Sequence, residues 1–247
     1  MAIDSRSSTG ERPTGHDVRT IALRAGLPLF AAALAIIGLM WLVGTLLVTG
    51  SFPGLTRLDA ATTQRVVARR TPLLDTLTHV GTTMADTLAA LVVTAVAVVL
   101  LRWWLGRWRE SVIVVVAVIG ELLIFLAITA LVRRDRPPVV RLDEAPPTSS
   151  FPSGHTGAAV ALYVCLAVLA LRTVPHRPLA RVLAAVGLAI PVIVAASRVY
   201  RGMHYLSDVV AGAFASGIWL AVVLVVLLRP APDERPSADG ASWRAAP

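Results

Sequence analysis

Two histidines in this sequence lie beside groups that could make them chemically active. His155 directly follows Ser153 and Gly154. His204 precedes Asp208 by four residues, so a helix at this point would place the imidazole and the carboxylate on one face. A carboxylate that accepts the Nδ1–H of an imidazole leaves a free lone pair on Nε2, as in nucleophilic catalytic sites. The pair therefore predicts a histidine nucleophile that Asp208 orients.

The first of these two segments also has the pattern of an anion-binding helix start. Pro152 favours the first position of a helix, which would leave Ser149 or Ser150 to cap it. Ser153 and Gly154 then fall in the first turn, where backbone N–H groups have no partner within the helix and the helix dipole adds partial positive charge. Such a turn binds anions. We expect Gly154 to let an anion approach the backbone and Ser153 to donate a further hydrogen bond.

Arginines accompany both histidines. Arg136 lies before His155 in the chain, and Arg198 lies six residues before His204. One guanidinium group can bind two phosphate oxygens at once through two of its N–H groups. Two histidines and a carboxylate could instead hold a metal ion, but these arginines would repel a divalent cation, as would Arg134 and Arg201 nearby. The pattern therefore favours a phosphate-containing substrate over a metal site.

The composition indicates a membrane protein. Of the 247 residues, 56% are hydrophobic, and the mean hydropathy is +0.72. The chain has 23 basic and 15 acidic residues, and every basic residue is an arginine. A basic excess occurs in proteins that bind nucleic acids, but arginines between long apolar runs are typical of membrane flanks that contact anionic headgroups. We therefore expect a lipid bilayer, and no nucleic acid, as the partner.

Six apolar runs approach the length of about 20 residues that a helix needs to cross a bilayer. They predict an all-α, polytopic membrane protein, a bundle of six transmembrane helices. The predicted spans are Gly26–Val48, Thr83–Leu101, Ser111–Val132, Thr156–Leu171, Leu179–Val199 and Leu206–Leu228. The predicted domains are a polar, disordered cytoplasmic tail (1–24), the six-helix membrane domain (25–229) and a disordered C-terminal tail (230–247).

The number of spans predicts where the polar segments meet. With six spans, the loops after the third and fifth helices face the same side of the membrane, so Arg136, His155 and His204 can converge there. The apolar run Ala25–Val48 is too long for a cleaved signal peptide and predicts a retained anchor. With both termini cytoplasmic, slightly more than half of the 23 arginines are cytoplasmic. We therefore predict a multi-pass cell-membrane protein with its site on the extracytoplasmic face.

Three motifs together resemble those of the type 2 phosphatidic acid phosphatases, also called lipid phosphate phosphatases, which share them with the vanadium haloperoxidases. The family pattern is a lysine seven residues before an Arg-Pro pair, then Pro-Ser-Gly-His, then Ser-Arg, five residues, His, three residues and Asp. Arg136-Pro137, Pro152–His155 and Ser197–Asp208 match it in order and spacing. The six-helix layout is also similar to that of the family.

The chain departs from this pattern at one position. The family lysine corresponds to Thr129, which still lies within the third predicted helix. The departure removes a phosphate-binding cation, which Arg133 or Arg134, one turn further on, could replace. The nucleophile, the acid and the other arginines of the family pattern are all present.

The resemblance implies a role for each site residue. His204 would attack phosphorus and form a phosphohistidine, which Asp208 would orient and stabilise. His155 would protonate the leaving oxygen and then help to activate water. The phosphate oxygens would be held by Arg136, Ser153, Gly154 and Arg198.

The resemblance also implies a function, a metal-independent lipid phosphatase of phospholipid metabolism that needs no cofactor. Phosphatidate, phosphatidylglycerophosphate, isoprenyl phosphate and isoprenyl diphosphate all carry a phosphate on an apolar stem. One alternative is a non-catalytic lipid-phosphate binder, which the threonine at position 129 keeps open. Another is a lipid transporter or flippase that uses the same basic cleft, although the sequence lacks the internal repeat and the paired broken helices of many transporters.

Two further features have no assigned role. Glu121 and Asp86 are acidic residues in or near predicted spans. Charges there are costly and mark functional sites by default, but pairing with an arginine or a neighbouring helix is the simpler explanation. The segment Thr49–Gly81 could form an amphipathic helix on the membrane surface or a helix in solvent.

Overall fold

The computed structural model describes residues 15–228, with side chains from residue 25 onward. Within that range the chain forms helices and no strands. The helices are α1 (Gly15–Val48), α2 (Pro53–Val67), α3 (Pro72–Thr83), α4 (Thr87–Leu105), α5 (Arg109–Leu131), α6 (Gly154–Ala159), α7 (Cys165–Thr173), α8 (Arg177–Tyr200) and α9 (Leu206–Leu227). A π-helical turn, Val160–Val164, joins α6 and α7 into one continuous helix.

Six helices in the described range are long and apolar enough to cross a membrane. They are α1 from Ala25 onward, α4, α5, the joined α6 and α7, α8 and α9. Each overlaps one predicted apolar run, so the prediction of an all-α, six-span membrane protein is confirmed. Helix α1 begins at Gly15, inside the predicted N-terminal tail. The rest of that tail and the predicted C-terminal tail lie outside the described residues.

Helices α5 and α9 pack closely against each other. The indole of Trp219 in α9 lies against Gly120 in α5, where a Cβ atom would collide with the ring. The Nε1–H of Trp219 donates a hydrogen bond to the Ala117 carbonyl at 3.0 Å. Because lipid tails are as apolar as the helices, tight packing at small residues and hydrogen bonds of this kind hold membrane bundles together.

The helix that carries His155 begins directly after Ser153. The Oγ of Ser153 caps it by accepting a hydrogen bond from the Thr156 N–H at 3.5 Å. The expectation that Pro152 begins this helix, capped by Ser149 or Ser150, was therefore wrong. The hydroxyls of those two serines make hydrogen bonds to other parts of the site.

The segment between the first two spans forms two helices, α2 and α3. In α2 Asp59 and Thr63 are buried, whereas Leu55 and Leu58 are 36% and 49% exposed. Arg57, Gln64 and Arg65 are exposed as well, so the face turned away from the protein carries both apolar and polar residues. A helix on the membrane surface and a helix in solvent both stay predictions for this segment.

The three connections at one end of the bundle contact each other. The loop 132–153 is joined to the turn after α8, because the Leu142 N–H donates to the Arg201 carbonyl at 3.1 Å. Arg70, which follows α2, donates to the Tyr200 carbonyl from Nε at 3.1 Å and from Nη2 at 2.9 Å. The loops after the third and fifth spans therefore meet as predicted, and the segment after the first span joins them.

A buried ion-pair cluster fixes these connections relative to each other. Asp59 is fully buried and accepts hydrogen bonds from Arg134 Nη2 at 2.8 Å and from the backbone N–H of Ser207 at 3.0 Å. Arg134 also donates through Nη1 to Asp208 at 2.5 Å, and its guanidinium lies 4.4 Å from the centre of the Tyr205 ring. Buried charges persist in proteins when they are paired in this way.

Replacing Asp59 with alanine should destabilise the fold by about 1.5–3 kcal/mol, the contribution of a hydrogen bond to a charged group. The loss stays below the value of about 3–5 kcal/mol for a fully broken buried pair, because Arg134 keeps its bond to Asp208. The measurement is the midpoint of thermal unfolding in detergent, with Asp135→Ala at an exposed position as the control. Equal midpoints for the two variants would contradict this role of the cluster.

Candidate active site

The short connection between α8 and α9 holds His204 in one tautomer. The side chain is buried, and Nδ1 lies 2.7 Å from the backbone carbonyl oxygen of Ser150. A carbonyl oxygen can only accept a hydrogen bond, so Nδ1 carries the proton and donates it. The other nitrogen, Nε2, lies 3.4 Å from Nη1 of Arg136. In the neutral ring Nε2 therefore holds the lone pair, as a nucleophile requires.

The surroundings of His204 also keep its ring neutral. Burial, followed by the positive charges of Arg198 and Arg136, holds the pKa of His204 well below its usual value of 6.5. A ring with so low a pKa is unprotonated at physiological pH. Charge and burial thus preserve the lone pair that the tautomer places on Nε2.

Asp208 does not accept the Nδ1–H of His204, contrary to our expectation. Its Oδ2 lies 3.9 Å from Nδ1, beyond hydrogen-bond distance. Oδ2 instead accepts a hydrogen bond from Ser150 Oγ at 2.5 Å and one from the backbone N–H of Tyr205 at 2.9 Å. The carboxylate therefore holds Ser150, whose carbonyl orients the imidazole.

Within the described part of the chain, two arginines beside His204 have N–H donors without acceptors. The Nε atoms of Arg136 and Arg198 are buried and have no hydrogen-bond partner among the described residues. Each side chain is anchored through Nη1, Arg136 to the Met203 carbonyl and Arg198 to Thr82 Oγ1, both at 2.8 Å. Buried unpaired donors are rare because each costs about 1–3 kcal/mol. Both side chains therefore retain an N–H donor that is unused within residues 25–228.

Asp143, in the loop between α5 and α6, balances part of this positive charge. It accepts hydrogen bonds from Arg201 Nε at 2.8 Å and Nη2 at 2.6 Å, and from Arg198 Nη1 at 3.1 Å. Burial alone would raise the pKa of Asp143, but the hydrogen bonds from Arg201 and the two guanidinium charges outweigh it and lower the pKa. Arg201, which we expected near the site, is thus the main partner of Asp143.

His155 lines a cleft of about 240 Å³. Its Nε2 lies 2.9 Å from Oδ1 of Asp86, the N-cap residue of α4. Asp86 therefore pairs with a histidine on a neighbouring helix, α6, which is one of the two kinds of pairing expected for it. The cleft is further lined by His79, Thr82, Asp143, Glu144, Pro146 and Arg198.

Ser153 and Gly154 lie beside His155 and pack against neighbouring helices. Ser153 is fully buried, and its Oγ accepts a hydrogen bond from Thr156 Oγ1 at 3.0 Å. A Cβ atom on Gly154 would lie 2.8 Å from the ring of Phe125. The packing of α6 against α5 therefore requires glycine here, a reason that the sequence pattern did not reveal.

The arginines near the missing family lysine differ in their surroundings. Arg134 is held between Asp59 and Asp208, whose charges and hydrogen bonds raise its pKa although burial lowers it. Arg133 is exposed. The Oγ1 of Thr129 is buried and has no partner within the described part of the chain. Arg134 thus forms ion pairs with both Asp59 and Asp208.

A comparison with known protein families identifies the part of the chain that carries this site. The family model of the PAP2 superfamily matches residues 110–230, which contain α5 to α9. Over these residues, just under half of the chain, the sequence matches the PAP2 superfamily. This confirms the family that the three motifs suggested. All predicted site residues lie within the matched PAP2 segment.

A curated relative shares part of the PAP2 sequence. Phosphatidylglycerophosphatase B from Bacillus subtilis (strain 168) is 37% identical over 89 residues, which cover 33% of this chain and 42% of the relative. The chain therefore matches less than half the length of that protein.

Two solved structures share the fold. A transmembrane PAP2-type phosphatidylglycerolphosphate phosphatase from Bacillus subtilis superposes with a TM-score of 0.68 at 19% identity, over 77% of this chain and 93% of that one. The LpxE protein of Aquifex aeolicus superposes with a TM-score of 0.53 at 18% identity, over 70% of this chain and 96% of that one. At these identities the similarity establishes the PAP2 fold.

Several residues of the PAP2 site were not found from the sequence. The carbonyl of Ser150 and the carboxylate of Asp143 lie in an irregular loop, where no periodic pattern shows which groups face inward. Asp59 gave no clear signal, because Leu55 one helical turn earlier lies on the same face of α2. Asp59 also lies outside the segment that the PAP2 model matches, as does Asp86, which the sequence had singled out without assigning it a role.

His204 and His176 should carry their protons on opposite ring nitrogens. His204 donates through Nδ1, whereas Nδ1 of His176 accepts the Leu179 N–H at 3.3 Å, which leaves the proton of the neutral ring on Nε2. Nitrogen-15 spectra of histidine-labelled protein in detergent distinguish the two tautomers, and His204→Ala and His176→Ala assign the signals. Because its pKa is lowered, His204 should remain neutral at pH 6.5. An imidazolium signal from His204 at that pH would contradict the lowered pKa, and a neutral ring with its proton on Nε2 would contradict the site geometry.

Proposed function

We propose that residues 25–229 form a membrane phosphatase domain that hydrolyses lipid phosphates through a phosphohistidine intermediate. The observation that carries this proposal is the unprotonated Nε2 of His204, 3.4 Å from Arg136, in a ring whose Nδ1 is bound to a carbonyl. A lone pair beside two buried guanidinium groups with unpaired donors suits attack on a bound phosphate. The match to the PAP2 superfamily and the name of the curated relative support the same reaction class.

In the proposed first step, Nε2 of His204 attacks phosphorus opposite the ester oxygen. The N–P bond forms as the P–O bond breaks, and His155 gives a proton to the departing alkoxide. An alkoxide is a poor leaving group, so this general acid is worth about 10²–10⁴-fold in rate. The charge on the phosphoryl oxygens is stabilised by Arg136 and Arg198, by the hydroxyl of Ser153 and by the backbone N–H groups of Gly154 and His155 at the helix start.

In the second step, a water molecule attacks the phosphorus of the phosphohistidine. His155, which is now neutral, takes a proton from this water, and the N–P bond breaks. Inorganic phosphate leaves, and the lone pair returns to Nε2 of His204. The site is then in its starting protonation state.

Asp208 acts in both steps through charge and position. The His204 ring becomes positive when Nε2 bonds to phosphorus, and the Asp208 carboxylate 3.9 Å away stabilises that charge. The same carboxylate holds Ser150 Oγ at 2.5 Å, which keeps the Ser150 carbonyl on the ring. Asp208 therefore serves as a charge partner without a direct hydrogen bond to the nucleophile.

A lipid phosphate is the substrate class that suits a site at one end of a membrane bundle. The loops that carry the site connect membrane-spanning helices, so a headgroup can reach His204 while its apolar stem stays in the bilayer. The curated relative is named a phosphatidylglycerophosphatase, which makes phosphatidylglycerophosphate the first lipid to test. Phosphatidate, isoprenyl phosphate and isoprenyl diphosphate follow, since they share the same chemistry.

The purified chain in detergent should release phosphate from at least one of these lipids without added metal and in the presence of a chelator, because arginines supply the positive charge. His204→Ala should reduce release to background, whereas His176→Ala, at the start of α8, should leave it unchanged. Detergent also separates catalysis from transport, which needs a sealed membrane. Loss of activity in chelator that a divalent ion restores would contradict the metal-independent mechanism. Absence of phosphate release from every lipid tested would contradict the proposal that the chain is a lipid phosphatase.

We further propose that the site faces the extracytoplasmic side, with both termini in the cytoplasm. The distribution of arginines along the 247 residues supports this orientation, since positive residues are enriched in cytoplasmic loops. The loop between α5 and α6 would then be accessible from outside the cell, and the loop between α7 and α8 from the cytoplasm.

A cysteine in place of Ala145 should react with a membrane-impermeant thiol reagent in intact cells. A cysteine in place of Pro175, at the other end of the bundle, should react only after lysis. Both positions are exposed, and the native Cys165 is buried, so its background labelling is low. The reverse labelling pattern would place the site on the cytoplasmic side.

A further inference from the structure

We propose that Asp86 is a positioning residue that holds His155 through Nε2 and stabilises the imidazolium form that donates the proton. The inference rests on the proposed function, because it requires His155 to protonate the leaving oxygen. It adds to the site a residue outside the PAP2 segment 110–230.

The contact defines which nitrogen of His155 can exchange a proton with the substrate. Oδ1 of Asp86 lies 2.9 Å from Nε2, and an ionised carboxylate only accepts, so Nε2–H is the donor. Among the described residues, Asp86 is the hydrogen-bond partner of this ring. Nδ1 is therefore the nitrogen that transfers the proton. In catalytic carboxylate–histidine pairs the carboxylate likewise sets the tautomer and stabilises the imidazolium.

The place of Asp86 in the chain gives a second and independent observation. It is the N-cap residue of α4, where an aspartate ordinarily accepts a hydrogen bond from the first turn of its own helix. Its side chain makes no such bond and turns instead to His155, 69 residues further along the chain. The local helix therefore does not account for the contacts of this carboxylate, whereas the site does.

The charges of the cleft show why His155 requires a carboxylate. Arg198 lines the same cleft, and its guanidinium opposes a second positive charge on the imidazole. The carboxylate of Asp143, also in the cleft, is engaged by Arg201 and Arg198. Asp86 is the group that contacts the ring directly and offsets this repulsion.

The exposure of the pair indicates when it acts. The side chains of Asp86 and His155 are 48% and 29% exposed, and an ion pair in contact with water contributes little to folding stability. A lipid phosphate bound over the cleft would exclude water, which strengthens the attraction between the two groups. Asp86 should therefore matter for the first chemical step and hardly for the fold.

The test compares Asp86→Asn with the wild type on a lipid phosphate monoester and on nitrophenyl phosphate, with the purified full chain in detergent. The quantity measured is kcat/KM, which covers the steps up to departure of the alcohol or phenol. Asparagine is an equally good N-cap residue, so the thermal midpoint should not change. Nitrophenolate leaves without a proton, so only the lipid substrate needs the acid.

Asp86→Asn should lose about 10- to 100-fold on the lipid, the effect of removing one hydrogen bond to a charged group. On the aryl phosphate the loss should stay within about threefold, because the acid contributes little there. Asp86→Glu should restore part of the lipid activity. Glu144→Gln removes the same charge from the same cleft without a contact to His155, so it should affect both substrates equally and weakly.

A double variant shows whether Asp86 acts through His155. His155→Ala should show the same contrast between substrates, and adding Asp86→Asn should cause no further loss, because the effects of one unit do not add. An additional loss in the double variant, or an equal loss of Asp86→Asn on both substrates, would overturn the inference. Asp86→Ser, which also caps helices, replaces Asp86→Asn if the latter misfolds, and failure of both to fold would make Asp86 a purely structural residue.

The outcomes separate this inference from the proposed function. A wild-type chain that releases no phosphate from any lipid, or a His155→Ala variant without the contrast between substrates, would overturn the proposed function itself. An active wild type in which His155→Ala shows the contrast and Asp86→Asn behaves like Glu144→Gln would overturn the role of Asp86 alone.

Discussion

The hydrogen bond from Nδ1 of His204 to the Ser150 carbonyl is the interaction on which the geometry of the site depends. It determines the tautomer of the ring and the direction of Nε2. The carbonyl has a fixed position because the Ser150 hydroxyl is held by Asp208, and Asp208 is held by Arg134. Arg134 in turn reaches Asp59 of α2. The Ser150 carbonyl thus connects His204, through Asp208 and Arg134, to Asp59 in α2.

The second constraint is the balance of charge at one end of a membrane bundle. Guanidinium groups that are buried there require partners, since unpaired charges are strongly disfavoured away from water. Arg134 has two carboxylate partners, and Arg201 has Asp143. Arg136 is anchored by a carbonyl instead and keeps a buried Nε–H without a partner among the described residues. The arrangement separates arginines that stabilise the structure from those with donors left for an anion.

Some features were accessible from the sequence because they depend on local order. Six apolar runs predict six spans whatever the packing of the helices. The spacing of the motifs can also be read directly from the sequence. The predicted helix cap near Pro152 was wrong because Ser149 accepts a hydrogen bond from the Arg134 N–H and Ser150 donates one to Asp208. The expected hydrogen bond between His204 and Asp208 was wrong because α9 begins only at Leu206, so His204 lies before the helix and not on the face that carries Asp208. The Ser150 carbonyl lies closer to Nδ1 of His204 than the carboxylate does.

The sequence by itself determined the membrane class, the number of spans, the PAP2 family and which residue types could carry the chemistry. Only the tertiary structure decided which groups contact the two histidines. His204 meets a backbone carbonyl 54 residues away, and His155 meets Asp86 from a different helix. Periodicity describes one helix at a time, whereas these contacts depend on how loops and helix ends from separate spans pack together. The partners of both histidines are therefore a property of the fold.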